Sequence, residues 1–286
     1  MYKILDKLIC LKCKGRLKIV KNNYLKCKKN QKHIYNINNN IFSFFHKKNF
    51  DKHWSENSNT NLPKSKINVA KNFITPLIKE SSYQKTILDV GCGDGVHASV
   101  LANKKNLHFK INYIGLDISK VALSLTAKRI NKGHYLHASA TSLPLKKDSI
   151  DIVISYGVIA YTQSPKKTLR EFYRVLKKGG KLGIWVYLQP KGFKGVIFNF
   201  IRKITSFCGD WATYRIADCI VPFLSILPID SKINLTNASW RQCREIVLVN
   251  IQPKDLILPS QKQLVDWIKK ANFKIEKIKN GKVYAL

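Results

Sequence analysis

The sequence predicts an α/β fold with a doubly wound, mostly parallel sheet. Between residues 86 and 187, short apolar runs of strand length alternate with segments of helical spacing, the pattern of parallel strands joined by crossover helices. The first of these runs, residues 86–90, leads into a glycine-rich turn, and residues 96–102 behind it have helical spacing. With 286 residues, of which 45% are hydrophobic, the chain can bury one sizeable core and carry an attached module.

The glycine-rich turn carries the strongest functional signal. Its glycines are Gly91, Gly93 and Gly95, which gives G-x-G-x-G and not the G-x-G-x-x-G of dinucleotide-binding proteins. Asp89 precedes the first glycine, where a carboxylate would repel a diphosphate and suit a cationic ligand. The pattern therefore indicates S-adenosylmethionine. Two other interpretations stay open: a tight turn without a ligand, and a role for Asp89 in bonding the backbone amides of its own loop.

A second acidic residue follows one strand later. Asp117 ends the apolar run 113–117 and is placed to accept hydrogen bonds from both hydroxyls of an adenosyl ribose. Three further segments, residues 139–145, 148–155 and 169–182, then follow in order. With these segments the chain resembles the class I, Rossmann-like S-adenosylmethionine-dependent methyltransferases, and the similarity runs from about residue 85 to residue 187.

The resemblance implies a seven-stranded sheet and a set of cofactor contacts. Asp89 and the three glycines would shape the loop around the methionine part, Asp117 would hold the ribose, and Ile118 would pack on the adenine. Family members often carry an aspartate where this chain has Ser139, and a serine accepts the bond from the adenine amino group more weakly. The candidate cofactor-binding residues are Asp89, Gly91, Gly93, Gly95, Asp117, Ile118, Ser139, Ala140 and Ser155.

Two more helices can be delimited from their ends. The helix over residues 164–176 is followed by two lysines and by Gly179 and Gly180, which we expect to form its C-cap before a strand at residues 181–187. Ser260 is the expected N-cap of a helix over residues 260–272. Two short strands, residues 274–278 and 282–286, would complete the sheet.

Residues 1–45 are expected to form a zinc-ribbon-like module. Cys10 and Cys13 make a C-x-x-C knuckle, and Cys27 and His33 complete a set of four ligands for tetrahedral zinc. The second half of the pattern is irregular, because a paired knuckle would place a cysteine at Asn30. The alternative is a ribbon that has lost full ligation and keeps its cysteines as free thiols.

Two regions lie outside the expected cofactor core. Residues 46–66 are polar and rich in asparagine, and we interpret them as a linker to a methyltransferase domain over residues 67–286. Residues 190–258 form an insertion with two apolar helical patterns, at 196–207 and 211–227, and are the expected substrate lid. Its uncharged runs are shorter than the ~20 residues that cross a bilayer. The lid can be ordinary added core, a cover for a lipophilic substrate, or a contact with a membrane surface.

The net charge of +34 raises the question of a nucleic-acid partner. Only eight of the 51 basic residues are arginine, and the lysines are spread over the whole chain together with many asparagines and isoleucines. These three residue types share AT-rich codons, so a biased genome explains the charge equally well. RNA therefore remains one candidate partner. The chain begins without a secretory signal pattern, which favours the reducing cytoplasm.

The reaction implied is transfer of a methyl group to a nucleophilic atom, which needs alignment and exclusion of water more than a general base. Tyr156 and Tyr161 follow the fourth strand and are candidates for substrate contact, although plain lining of the site is the preferred interpretation for Tyr161. The apolar insertion favours a small-molecule or lipid-like acceptor in a closed pocket. One alternative is a ribosomal RNA base methyltransferase that grips RNA with its zinc ribbon. Another is a non-catalytic adapter that binds the cofactor.

Overall fold

The computed structural model describes residues 4–20, 23–45, 51–56, 62–78, 84–102, 111–130, 132–189, 192–226, 240, 243–244, 247–248 and 256–286. The chain divides into two compact units, Met1–Tyr187 with Pro259–Leu286, and Leu188–Leu258. The larger unit contains the sheet and the glycine-rich turn, and the smaller unit contains the insertion. The expected ribbon boundary at residue 45 therefore falls inside one compact unit.

A single sheet runs through the larger unit. Its strands in the described residues are β1 (Leu17–Val20), β2 (Tyr24–Cys27), β3 (Ile34–Asn38), β4 (Ile41–Ser43), β5 (Lys85–Val90), β6 (Ile111–Asp117), β7 (His134–His137), β8 (Ile150–Tyr156), β9 (Leu176–Trp185), β10 (Ile275–Lys279) and β11 (Lys282–Ala285). Their spatial order is β1-β2-β3-β4-β7-β6-β5-β8-β9-β11-β10. The strands from β4 to β9 pair in parallel, and the pairs at both ends of the sheet are antiparallel.

The sheet has eleven strands, so the expectation of seven was wrong. Seven strands, from β7 to β10 in spatial order, do form the expected methyltransferase arrangement. The additional four come from the first 45 residues, because β4 pairs in parallel with β7 and places Ser43 opposite His137. This pairing satisfies the backbone groups that β7 would otherwise expose as an edge strand.

In the larger unit, helices from the crossover connections pack against the sheet. The helices of this unit in the described residues are α1 (Asp51–Glu56), α2 (Lys64–Ile78), α3 (Val96–Ala102), α4 (Lys120–Arg129), α5 (Pro165–Val175) and α7 (Gln261–Lys270), and α6 (Gly192–Ile226) belongs to the smaller unit. The caps follow the sequence: Ser164 accepts a hydrogen bond from the N–H of Lys167, and Ser260 forms a capping box with Gln263. The core strand β5 buries Ile87, Leu88 and Val90 completely.

The end of α5 differs from the expectation. The helix ends at Val175 and β9 begins at once at Leu176, so the two glycines do not cap the helix. Instead, Leu176 pairs with Ile150 and Lys181 pairs with Ile152, which leaves four residues of β9 opposite one residue of β8. These residues form a bulge, and Gly179 accommodates its turn with a φ of +73°.

The smaller unit is built on α6. Two helical patterns were expected there, but residues 192–226 form one continuous helix of 35 residues. The second half of this helix packs Ala217 and Val221 against Cys243, Val247 and Leu248. Among the described helices of the chain, none is long and apolar enough to cross a membrane.

Candidate active site

The carboxyl ends of three neighbouring strands define the site. The central strand β5 pairs in parallel with β6 on one side and with β8 on the other. The glycine turn after β5, Asp117 at the end of β6 and Ser155 near the end of β8 therefore lie at the same edge of the sheet. This edge, where the strand order reverses, is the usual ligand position in open α/β sheets.

The glycine turn requires all three of its glycines. Their φ angles are +70° at Gly91, +55° at Gly93 and +77° at Gly95, a region that residues with a Cβ rarely adopt. A Cβ on Gly91 would collide with Val158, and one on Gly95 would lie 2.9 Å from the backbone Cα of Thr126. The turn is therefore both left-handed and closely packed.

Asp117 is buried and already organises the loop. Its Oδ2 accepts a hydrogen bond from the N–H of Gly93 at 3.1 Å, and its Oδ1 accepts one from the N–H of Ser119 at 2.9 Å. Burial raises the pKa of Asp117 to about 6, although these backbone bonds oppose the shift. Each oxygen keeps a second lone pair, so the carboxylate can still accept the two ribose hydroxyls.

Two buried oxygens near the strand ends lack hydrogen-bond partners within the described residues: Asp89 Oδ1 and Ser155 Oγ. The other carboxylate oxygen of Asp89 accepts a bond from the hydroxyl of Tyr113 at 2.9 Å, whereas Oδ1 lies 3.6 Å from His97 Nδ1. Both residues are fully buried. Unsatisfied buried oxygens are costly, and a bound ligand is one way to satisfy them.

The first 45 residues reach the expected adenine side through a chain of hydrogen bonds. Ser43 Oγ lies 2.8 Å from Nδ1 of His137, whose Nε2 lies 3.0 Å from the carbonyl oxygen of Ile118. Ser139 and Ala140 lie two and three residues beyond the end of β7. The hydroxyl of Ser139 lies 2.8 Å from that of Thr141 and accepts the N–H of Thr141, so it is already engaged in its own turn.

An aromatic cluster stands at the carboxyl ends of β8 and β9. The ring of Tyr156 stacks on Trp185 with centroids 4.6 Å apart, and Tyr187 packs edge-on against Trp185 at 4.3 Å. Tyr161, in a short 3-10 helix, is in edge contact with Tyr187 at 6.2 Å. Burial raises the pKa of Tyr156 to about 12, so its hydroxyl stays protonated at neutral pH. The two tyrosines expected to contact substrate are thus joined through Trp185 and Tyr187.

Helix α1 contributes two residues that sequence reasoning assigned to a linker. The indole of Trp54 lies over the glycine turn, because a Cβ on Gly93 would come within 2.6 Å of Trp54 Cη2. Asp51 Oδ1 accepts a hydrogen bond from the hydroxyl of Ser119 at 2.6 Å. The only available signal was a tryptophan in an otherwise polar stretch, which does not reveal its partner.

The four expected metal ligands come together. The ligand atoms of Cys10, Cys13, Cys27 and His33 all lie within 4.8 Å of one another. Cys13 Sγ lies 3.4 Å from Cys27 Sγ, and Cys10 Sγ lies 3.3 Å from His33 Nδ1. These separations are close to the ~3.8 Å expected between two sulfurs on one tetrahedral zinc ion. The donor set therefore fits a structural zinc site.

Comparison with known proteins supports the methyltransferase assignment. Residues 88–184 match a family model described as a methyltransferase domain. A demethylmenaquinone methyltransferase of Thermotoga maritima is 33% identical over 162 residues, covering 53% of this chain and 69% of that protein. A malonyl-[acyl-carrier protein] O-methyltransferase of Marinomonas sp. is 37% identical over 97 residues, covering 33% of this chain and 35% of that protein.

A solved structure is similar at lower identity. Phosphoethanolamine N-methyltransferase 2 of Haemonchus contortus, in complex with S-adenosyl-L-methionine, has a TM-score of 0.47 and 19% identity, covering 74% of this chain and 38% of that chain. The sequence match to the Thermotoga protein extends over 69% of that relative, and the glycine turn lies within the residues matched by the family model. On this basis the chain belongs to the S-adenosylmethionine-dependent methyltransferases.

Proposed function

We propose that this methyltransferase acts on a small, lipid-like acceptor. The observation that carries the proposal is the aromatic cluster of Tyr156, Trp185, Tyr187 and Tyr161 beside the carboxyl ends of the strands. Aromatic faces favour planar or apolar molecules, which they bury with little loss of side-chain entropy. An aromatic cluster of this kind suits a compact apolar acceptor better than the charged backbone of a nucleic acid.

The name of the Thermotoga relative supports the same acceptor class. That protein is a demethylmenaquinone methyltransferase, so its acceptor is a lipid-like quinone. The Marinomonas relative, by contrast, is named for malonyl-[acyl-carrier protein], and the match covers 35% of that protein. The acceptor proposed here is therefore defined as a class, and the quinones are its first members to test.

The cofactor would supply a methyl group on a positively charged sulfur. Within the chain, Asp89 offers an unsatisfied buried oxygen at the start of the glycine turn, and Ser155 offers another on β8. Asp117 has acceptor capacity left for ribose hydroxyls. Ile118 and Ala140 would add apolar contact on the adenine side. These are the residues that we propose hold the cofactor.

The chain would promote transfer mainly by alignment and exclusion of water. Tyr156 is a poor general base, because its pKa of about 12 keeps the hydroxyl protonated. It can instead donate a hydrogen bond or present its ring. Holding acceptor and methyl group in line, in a site closed to water, is sufficient for much of the rate increase in a displacement of this kind.

We further propose that Cys10, Cys13, Cys27 and His33 hold a structural zinc ion. The knuckle between the first two cysteines has backbone geometry suited to the role, since Lys14 has a φ of +56° and the N–H of Cys10 bonds to the carbonyl oxygen of Gly15. A Cβ on Gly15 would lie 2.8 Å from Cys27 Sγ, so only glycine lets that sulfur approach. A zinc ion would tie β1, β2 and β3 together at one end.

A radiolabel experiment tests the acceptor class. The purified chain and labelled S-adenosylmethionine are added to an extract of cells that lack the gene, and the products are divided by organic extraction and by nuclease digestion. We expect label in the organic fraction, with none when the Asp117→Ala protein replaces the wild type. Label that nuclease releases would instead support RNA as the acceptor. Absence of any label, with cofactor binding intact, would revive the non-catalytic adapter.

A further inference from the structure

One face of α6 exposes an unusual number of large apolar side chains. Their exposed fractions, which are far above those of core residues, are Val196 65%, Phe200 64%, Ile204 40%, Phe207 89% and Trp211 74%. We refer to these five residues as the α6 stripe. Single exposed hydrophobic residues are normal on protein surfaces, but a contiguous row of them usually marks an interaction site.

The spacing of the stripe puts its members on one side of the helix. Successive residues are four, four, three and four positions apart, so at about 100° per residue they fall within a sector of about 80°. At about 1.5 Å of rise per residue the stripe is about 22 Å long. Other sides of the same helix bury Thr205, Thr213 and Ala217 almost completely. The helix therefore already has a packed side, and the stripe is additional to it.

Cationic side chains border the stripe on both sides. Lys203 and Arg215 are exposed and lie about 60° from the centre of the stripe in opposite directions. The Arg215 guanidinium also lies 5.6 Å over the ring of Trp211. Asp218, an acidic residue whose side chain the structure describes, lies beyond the C-terminal end of the stripe and forms an ion pair with Arg244. The arrangement thus combines an apolar centre with a positive border.

We propose that the α6 stripe docks on an anionic membrane surface. Aromatic and aliphatic side chains would enter the boundary between headgroups and acyl chains, while the flanking lysine and arginine reach the lipid phosphates. The net charge of +34 on the whole chain would draw it to such a surface and repel a second copy of itself. The inference goes beyond the proposed acceptor and does not depend on it.

Vesicle binding tests this docking with the full chain. Sedimentation is measured with vesicles of phosphatidylcholine alone and with vesicles that also contain phosphatidylglycerol. We expect binding to the mixed vesicles that weakens as salt is added. The double variant Phe207→Ser with Trp211→Ser should bind at least about tenfold more weakly, because two large apolar side chains no longer enter the lipid. A second variant, Lys203→Gln with Arg215→Gln, keeps the five apolar side chains and should also bind the mixed vesicles more weakly, because its side chains no longer attract the lipid phosphates.

The matched control replaces exposed apolar residues elsewhere, Val69→Ser with Tyr173→Ser, which are 44% and 45% exposed. It should bind vesicles like the wild type, and circular dichroism should show equal helix content in all proteins. Equal binding by the stripe variant and the wild type would overturn the proposal and leave the general charge as the cause. No binding to either vesicle, with a dimer that the stripe variant abolishes, would also overturn it in favour of self-association.

Discussion

The indole of Trp54 lies against Gly93, so that a methyl group on that glycine would come within 2.6 Å of the ring. The contact joins a helix expected to be part of a linker to the middle of the cofactor turn. It is held by a second contact nearby, in which Ser119 donates its hydroxyl to Asp51 and accepts the N–H of Ala122. Helix α1 therefore covers the carboxyl ends of β5 and β6.

The position of Trp54 predicts a role in cofactor binding. Trp54→Ala should weaken S-adenosylhomocysteine binding about tenfold, because removal of the ring opens the glycine turn to water. Trp54→Phe should retain most of the affinity, and Trp267→Ala, a half-buried tryptophan on α7, serves as the matched control. Isothermal titration calorimetry measures all three. Unchanged or tighter binding by Trp54→Ala would mean that the ring blocks the site or plays no part in it.

Asp117 predicts a pH dependence of both binding and stability. Its pKa in the folded chain is raised to about 6, above the ordinary 3.8. A raised carboxyl pKa contributes stability that is present below the unfolded value and is lost as pH rises through about 6. Cofactor affinity should change in the opposite direction, because the ribose hydroxyls need the carboxylate as acceptor.

Calorimetry across this pH range tests the assignment. S-adenosylhomocysteine affinity should fall as pH falls through about 6 in the wild type. Asp117→Ala should bind at least about tenfold more weakly at neutral pH, since hydrogen bonds to a charged group contribute ~1.5 kcal/mol or more each. In Asp117→Asn the pH dependence should disappear. A variant that retained the wild-type pH profile would show that another group titrates.

Gly95 and Gly179 allow a comparison of how much an added side chain lowers the free energy of unfolding. Both have positive φ angles, +77° and +73°. A Cβ on Gly95 would lie 2.9 Å from the backbone of Thr126, whereas nothing lies within 4 Å of one on Gly179. Gly179→Ala should therefore lower the free energy of unfolding by about 1 kcal/mol, which is the backbone strain alone. Gly95→Ala should cost about 2 kcal/mol more in urea unfolding, because a backbone must shift; equal losses would contradict the packing argument.

The cysteine cluster predicts bound metal. The purified chain should contain about one zinc ion, and Cys27→Ser should lose it and unfold at lower temperature, because binding energy at such a site is folding energy. Cys219→Ser is the control, since Cys219 is exposed and outside the cluster. Metal content is measured by atomic emission and stability by thermal unfolding. A wild-type protein purified in zinc and found without metal would contradict the assignment.

The aromatic cluster predicts separation of acceptor binding from cofactor binding. Trp185→Ala should raise the KM for a quinol acceptor about tenfold and leave S-adenosylhomocysteine affinity within about twofold, because the ring packs against the aromatic residues proposed to contact the acceptor. Trp185→Phe should restore the KM. Loss of cofactor affinity in proportion to the loss of activity would instead assign the cluster a structural role.

Short-range rules explain what could be predicted from the chain alone. The glycine spacing predicts the left-handed turn because residues without a Cβ adopt positive φ at little cost. The serine caps at Ser164 and Ser260 follow from the same local logic, as does the gathering of Cys10, Cys13, Cys27 and His33 within one small module. The strand-to-helix alternation likewise predicts a parallel centre to the sheet.

Only the tertiary structure decided the features that depend on distant contacts. Ser43 and His137 are 94 positions apart, and Asp51 and Ser119 are 68 apart. No local pattern indicates that β4 extends the sheet beside β7, or that α1 covers the glycine turn. The sequence by itself therefore determined the cofactor class and the main elements, because these depend on backbone conformation and hydrophobic period. The tertiary structure decided the eleven-stranded sheet and the covered glycine turn. The first depends on the pairing of β4 with β7, and the second on the contact of Trp54 with Gly93, and both join residues that are far apart in the sequence.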